Sequence, residues 1–383
     1  MKKIILLIAA LCCLLTNAQT VSTFLNDSNS IVDDAMTFDA QGNLYGSNFA
    51  GNSVYKITPS GEASVFISGL ANPNGLAFDS QGALFVVEYS ASKIHKYAPN
   101  GTLIESFNVT DGVASNLIKA HDSDAMIFTN VVDHSINKLE TDGTITKLFT
   151  GAPLDVPVGL AYDNNGKLYI GNYLNREIYQ LKNNGTVKYI ATIPDSGTNF
   201  PYLGFISYAN NLLWATNYGE HKIYTVKPHK LDDVAVFSGS TIGTTDGDIS
   251  EATYTYPAGI IYNPTEDALY VSQYFNGSVR KISEISSYER PKLKFRLFPN
   301  PAHYFTIVKG ILPDAGDYTV SIYDMSANLV YEANETSNFG RLFYKKIKIS
   351  DLNLVSGSNN PSGSYIVKIT SGITSQSKLL LVY

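Results

Sequence analysis

The sequence predicts an all-β protein: a six-bladed β-propeller closed by its N-terminal strand, followed by a small β-sandwich. Three observations predict it. One strand pattern recurs six times between residues 35 and 273. Its period of about 40 residues suits blades built from short strands. The sixth copy lacks a fourth strand, and a matching strand stands at the other end of the chain. Of the 383 residues, 12% are aromatic and 16% charged, a balance that suits sheet-rich folds because aromatic side chains pack well on pleated surfaces.

The elements follow in chain order. Residues 1–18 read as a signal peptide, with Lys2 and Lys3 ahead of an apolar run over 4–15 and a small-residue cleavage site at Thr16-Asn17-Ala18. Cys12 and Cys13 both fall inside it, so the mature chain is expected to hold together by packing, without disulfides or thiol chemistry. Removing the leader leaves 26 Lys and Arg against 34 Asp and Glu, a net charge of −8. That mildly acidic balance argues against nucleic acid as a partner, since phosphate binding needs clustered cations. Beyond residue 20 no run is apolar enough to predict a transmembrane span.

Residues 21–25 (Val-Ser-Thr-Phe-Leu) match the fourth strands of the repeats in type and are expected to complete the last blade, pairing two otherwise open edges. The repeats occupy residues 19–286. Five copies run over 35–48, 75–88, 117–130, 159–172 and 204–217, with a constant separation of 13 positions between their ends; the sixth, 259–273, has one extra residue in its turn. Six positions after each copy stands Val54, Ile94, Ile136, Ile178, Ile223 or Val279, the mark of the third strand. Asn-Gly, Asp-Gly or Ser-Gly turns at Gly61, Gly101, Gly143 and Gly185 lead into the fourth, because glycine supplies the positive φ such hairpins need. A charged connector over 287–294 ends the propeller. Residues 295–383 read as the sandwich, with strands over 318–323, 342–349, 365–369 and 378–383.

In a propeller the first strand of each blade lines the central channel. The 13-residue spacing places Asp34, Asn74, Asn116, Val158, Leu203 and Ala258 at the six strand entries. Blades one to three thus offer oxygen-bearing side chains and blades four to six apolar ones. Hard cations such as Ca²⁺ take oxygen sets of this kind; equally, side chains at strand ends cap backbone groups. A second ring is Asn48, Glu88, Asn130, Asn172, Asn217 and Gln273, followed in five blades by an aromatic residue: Phe49, Tyr89, Tyr173, Tyr218 and Tyr274. Polar groups repeated in every blade suit backbone satisfaction at turns. Glu88, the one acid in the ring, is the candidate there for ligand contact. His95 and His221 are expected at exposed positions on or beside third strands, and His121 with Asp122 and Asp124 in a solvated turn.

The repeat region resembles the NHL and SMP-30/gluconolactonase group of six-bladed propellers. The likeness is carried by Pro73-Asn74-Gly75-Leu76-Ala77-Phe78-Asp79, its echo over 157–163, and Gly243-Thr244-Thr245-Asp246-Gly247-Asp248 leading to Tyr256-Pro257-Ala258-Gly259. The resemblance implies a metal ligand at Asn74; Asp34 and Asn116 match by position only, and Asp33 or Asp34 would have to serve as catalytic base. The 243–248 loop reads as a long blade connection. The tail resembles the type A sorting domain of the type IX secretion system of Bacteroidetes, through Phe298-Pro299-Asn300-Pro301, Gly316-Asp317-Tyr318-Thr319-Val320 and Ser362-Gly363-Ser364-Tyr365-Ile366-Val367, with Lys378 as the basic residue near the end. That implies the secretion machinery as partner, passage through the periplasm, and a secreted or cell-surface product. Two functions follow as expectations: a binding module with an extracellular ligand at the channel mouth, or a metal-dependent lactonase or esterase using Ca²⁺ or another divalent cation, which would polarise the ester carbonyl.

Overall fold

A computed structural model describes residues 19–195, 197, 200–290, 292–313, 316–337, 341–353, 362–372 and 374–383. The signal peptide expected over 1–18 lies outside the described residues. Two compact units divide between Tyr288 and Glu289.

The first unit holds six sheets in sequence, and the first strands of successive blades neighbour one another around the full ring, the last beside the first. Blade one is Met36–Phe38, Leu44–Ser47, Val54–Ile57 and Ala63–Ile67, in meander order. Second strands such as Met126–Asn130 are buried at every position, whereas the fourth strand Leu103–Asn108 is almost wholly exposed. Burial on both faces is what sandwiching between neighbouring blades requires, and it explains why the inner strands are continuously apolar. Aromatic contacts join neighbouring blades: Tyr45 packs edge-on against Phe66 of its own blade and against Phe78 of the next, with ring centroids 4.9 Å apart in both pairs.

The hairpin between first and second strands has a repeated cause. Asp39, Asp79 and Asp163 each use Oδ1 to accept N–H bonds from the residues two and four positions on. This Asx turn fixes the chain direction, and Gly42 supplies the φ of +83° that the turn demands.

The N-terminal strand completes blade six as expected. Thr20–Leu25 pairs antiparallel with Val279–Ile282, Val21 opposite Ile282 and Thr23 opposite Arg280. The 243–248 loop proves to be more than a connection. Gly247–Asp248 adds a short fifth strand outside Thr20–Leu25, and Asp246 accepts from the Thr23 N–H at 3.0 Å and its hydroxyl at 3.1 Å. Arg280, fully buried, donates to the carbonyls of Thr253 and Thr245 at 2.8 Å each and to Asp246 Oδ1 at 2.5 Å. Its guanidinium lies 5.5 Å from the Tyr254 ring centroid. One buried cation therefore ties the loop to the closing strand.

The propeller extends slightly further than the 19–286 expected. Asn210 donates to the carbonyls of Ile285 and Tyr288, and Tyr288 packs on Trp214 and Phe237. The first strand of the second unit, Lys294–Phe298, begins at the end of the expected connector. The second unit is a sandwich of a three-stranded and a four-stranded sheet. Phe295, Val308 and Phe343 from one face Val320, Val367 and Leu380 from the other in a common core. Three of its strands, Lys294–Phe298, Phe305–Ile311 and Leu329–Thr336, are absent from the sequence reading; the last alternates exposed polar residues (Glu332, Asn334, Thr336) with half-buried ones, which weakens the apolar signal.

Candidate functional site

The constant 13-residue spacing misplaces two blade entries. Met36, Leu76 and Leu160 pair with Gly46, Val86 and Ile170, ten positions on. Leu117 pairs with Phe128, eleven on, and Ile206 with Ala215, nine on. Blade three thus has one residue more in its hairpin and blade five one fewer, so their entries shift by one. The ring at the channel mouth is Asp34, Asn74, Ser115, Val158, Gly204 and Ala258. Asn116, expected there as an oxygen ligand, is displaced to the next position. Its N–H is bonded to Thr129 Oγ1 at 3.0 Å, and it lines the opposite reach of the channel. Leu203 likewise leaves the ring to Gly204. Glycine is required at that point: a Cβ on Gly204 would stand 2.7 Å from the Ala258 carbonyl oxygen.

Above this ring lie Phe49, Tyr89, Val131, Tyr173, Tyr218 and Tyr274, the residues that follow the second polar ring in each blade. Together they frame a cavity of about 290 Å³. Tyr173 stacks on Tyr202 with centroids 4.4 Å apart, and Tyr218 packs on Tyr256 and Tyr274. The collar is therefore held from behind by further aromatic rings.

The second polar ring itself is structural. Asn130 Oδ1 accepts from the Val113 N–H and its amide donates to the Asp111 carbonyl. Gln273 Oε1 accepts from the Thr255 N–H, and the Asn172 amide donates to the Pro153 carbonyl. Each bond ties the end of a second strand to the segment entering its own blade. Glu88 does the same: Oε1 accepts from the Ala71 N–H at 2.8 Å, while Oε2 lies 2.8 Å from His95 Nε2. Its carboxyl is not part of the mouth lining. Burial would raise its pKa, but the bonds from His95 and Ala71 hold it below the usual carboxylate value. His95, expected to be exposed, is buried because it has this partner on one side and Ser106 Oγ at 2.7 Å on the other. Replacing Glu88 with Ala is expected to cost about 1–2 kcal/mol by stripping the Ala71 N–H and His95 of their acceptor. Urea unfolding measures it, and a stability unchanged from wild type would mean the acid is free for another role.

Asp33 and Asp34 diverge. Asp33 is fully buried and accepts from the backbone N–H of Phe49 at 2.5 Å and of Ala50 at 3.0 Å. Burial pushes its pKa up to about 6, with those two bonds opposing. It holds the Phe49 segment of the collar in place and has no face towards the cavity lining. Asp34 does line the cavity. Burial, and secondarily the charge of Asp33, drive its pKa well above the ordinary value. No donor among the described residues meets its carboxyl. Asn74 donates to Ser115 Oγ at 3.2 Å, yet its Oδ1 is buried without any partner. The mouth is thus rich in acceptors, and no Lys, Arg or His is among its lining.

This donor set does not fit a hard cation well. Its entry ring offers one carboxyl biased towards its neutral form, one amide and one hydroxyl, with only neutral phenols above it, short of the six to eight carboxylate, carbonyl or water oxygens that Ca²⁺ takes. No cluster of three or more His, Cys, Asp or Glu able to hold a metal occurs among the described residues.

Two histidines brace the mouth from outside: His134, which sequence reasoning passed over, and His221, expected at an exposed position and in fact half-buried. His134 Nδ1 accepts from the Val156 N–H at 2.9 Å, and His221 Nδ1 from the Tyr256 N–H at 3.2 Å. Both donors belong to residues of positive φ just ahead of a blade entry. Burial lowers the pKa of His221, which keeps Nδ1 free to accept. The signal was available: each histidine immediately precedes a third strand.

Comparison with known proteins agrees with this architecture. No curated protein matches the chain. Among solved structures, the virginiamycin B lyase of Staphylococcus aureus shares 18% identity over 65% of this chain and 79% of its own, with a TM-score of 0.50. A gluconolactonase of Xanthomonas campestris shares 17% over 69% and 89%, with a TM-score of 0.52. An auxiliary nutrient binding protein of Bacteroides ovatus shares 15% over 70% and 76%, with a TM-score of 0.57. At these identities the likeness is one of fold. The secretion system C-terminal sorting domain model matches residues 296–383, so the second unit is a sorting domain that directs the protein to the cell surface or beyond. No helix among the described residues is long and apolar enough to cross a membrane. The virginiamycin B lyase family model matches residues 9–241, more than half of the chain, and the protein belongs to that family.

Proposed function

We propose that the propeller is an exported binding module that takes a small ligand at the collared mouth. The observation that carries this is the buried, unpartnered Oδ1 of Asn74 beneath five aromatic side chains. A buried acceptor without a donor costs about 1–3 kcal/mol, a cost that a ligand donor would relieve. A concave site with apolar walls and a few convergent polar groups is the usual form of a small-molecule pocket. The fold is shared with proteins described as auxiliary nutrient binding proteins, so the scaffold is compatible with such a role.

A second reading, a bond-cleaving enzyme at the same mouth, is favoured by one observation: Asp34, a carboxyl of raised pKa facing the cavity, is the kind of group used in acid–base catalysis. The two are separated by one experiment. The mature propeller is challenged with a panel of lactones, esters and virginiamycin B, with and without chelator, while thermal shift is followed. Binding predicts stabilisation by some member of a wider small-molecule panel without turnover. Turnover that is lost in Asp34→Asn would replace the binding reading with the enzymatic one.

A further inference from the structure

We infer that the mouth of the propeller receives a small organic ammonium ion, held over the aromatic collar and against Asp34. This deepens the binding reading above and rests on it. Three features of the cavity converge on that chemistry.

The first is the wall. Phe49, Tyr89, Tyr173, Tyr218 and Tyr274 surround the opening from five of the six blades. Aromatic faces attract a cation through the ring quadrupole, and a desolvated enclosure of several rings is the arrangement that recognises alkylammonium groups. The collar is also pre-organised, because Tyr202 and Tyr256 pack behind Tyr173 and Tyr218. Little side-chain freedom then remains to be lost on binding.

The second is the charge. Asp34 lies at the base of the collar, 8% exposed, with no cation among the lining residues to offset it. An anionic ligand would meet a carboxyl and phenolic oxygens and nothing of opposite sign. A metal ion would meet too few oxygens and a largely carbon wall. An alkylammonium ion tolerates both: its methyl or methylene groups suit the rings, and its charge favours the ionised form of the Asp34 carboxyl that burial alone disfavours.

The third is the unmatched acceptor. Asn74 is 5% exposed, its amide nitrogen is used on Ser115, and Oδ1 has no partner. An N–H or O–H of the ligand would satisfy it. The cavity of about 290 Å³ has room for an ammonium head and a short hydroxylated or amine-bearing tail. At the level of the entry ring Val156, Val158 and Ala258 offer only apolar contact, so there the polar groups of the ligand face blades one to three.

The test compares a cation with its uncharged twin. Choline and 3,3-dimethylbutan-1-ol have the same shape and hydroxyl and differ in charge. Both are titrated into the full exported chain by calorimetry, with circular dichroism confirming that each variant is folded. Choline is expected to bind at least about ten-fold more tightly than the alcohol. Asp34→Asn, close in shape, is expected to reduce that preference without abolishing it, while Tyr218→Leu and Tyr274→Leu weaken choline more than the alcohol. Equal affinity for the two compounds would overturn the ammonium assignment while leaving the mouth as a binding site. Binding of neither, with stabilisation by some other neutral ligand of the panel above, would also overturn it but spare the binding reading. If nothing binds at all, both fall.

Discussion

Arg280→Ala is expected to lower the melting temperature of the propeller by on the order of 10 °C. The side chain is fully buried and supplies the donors for the Thr245 and Thr253 carbonyls and for Asp246. Removing one partner of such a network leaves the others uncompensated and costs about 3–5 kcal/mol. For a domain of this size each kcal/mol moves the midpoint by roughly 2–4 °C. The loss is not spread evenly. Asp246 also holds the N–H and hydroxyl of Thr23, so the closing strand Thr20–Leu25 loses its outer anchor. Limited proteolysis should nick the variant at its N-terminus before any other blade opens, since loosened termini are preferred cleavage sites. A control is Lys281→Ala, which removes a half-exposed pair with Glu266 and should change stability by less than about 1 kcal/mol. Equal effects from the two variants would show that Arg280 is not the latch.

The second large effect is a pH dependence centred on Asp33. Burial raises its pKa in the folded protein to about 6 from its ordinary value of 3.8. A carboxyl raised in this way stabilises the fold below pH 3.8, where it is neutral in both states. That contribution is lost as pH rises through about 6. The shift corresponds to roughly 3 kcal/mol. Asp34 acts in the same direction. Opposing them below about pH 4 are carboxylates held low, such as Asp133 by Lys147 and Asp124 by Ser80, whose contribution fades in acid. Stability should therefore peak on the mildly acidic side and decline towards neutrality. Asp33→Asn keeps the neutral form and one acceptor for the Phe49 and Ala50 N–H groups. Its unfolding free energy, measured by urea titration from pH 4 to pH 7, should slope less than that of wild type. Identical slopes would rule Asp33 out as the source.

Much of the molecule was legible in its sequence because the repeat encodes local geometry. The apolar inner strands, the Asp-led hairpins and the glycine turns each answer to a rule that acts within a few residues. The pairing of residues 21–25 with the last blade was legible too, since one strand was missing at one end and supplied at the other. What failed was the constant 13-residue spacing as a measure of strand entry. A hairpin one residue longer in blade three, and one shorter in blade five, leaves the ends of each repeat aligned while moving Asn116 and Leu203 off the ring. A one-residue slip along a strand turns a side chain to the other face, so an error invisible in spacing removed a proposed ligand and hid Ser115. Partnership was equally hidden. Glu88 stood out as the lone acid of its ring, yet its buried neighbour His95 gives it a structural task, and Arg280 gave no hint that it would organise the 243–248 loop.

By itself, then, the chain determined six blades, their closure by the N-terminal strand, the sandwich that follows, and the aromatic residues that come after each polar ring position. These depend on periodicity, and periodicity is written in the order of residues. Only the tertiary structure decided which side chains reach the mouth, that Asp34 faces the cavity while Asp33 is spent on backbone amides, and that Asn74 keeps one oxygen unsatisfied. Those facts depend on burial and on partners tens to hundreds of positions away, such as Asp34 and Ser272, whose hydroxyl bonds the Asp34 carbonyl across the closed ring at 2.6 Å. No local pattern specifies a contact that exists only once the ring has closed.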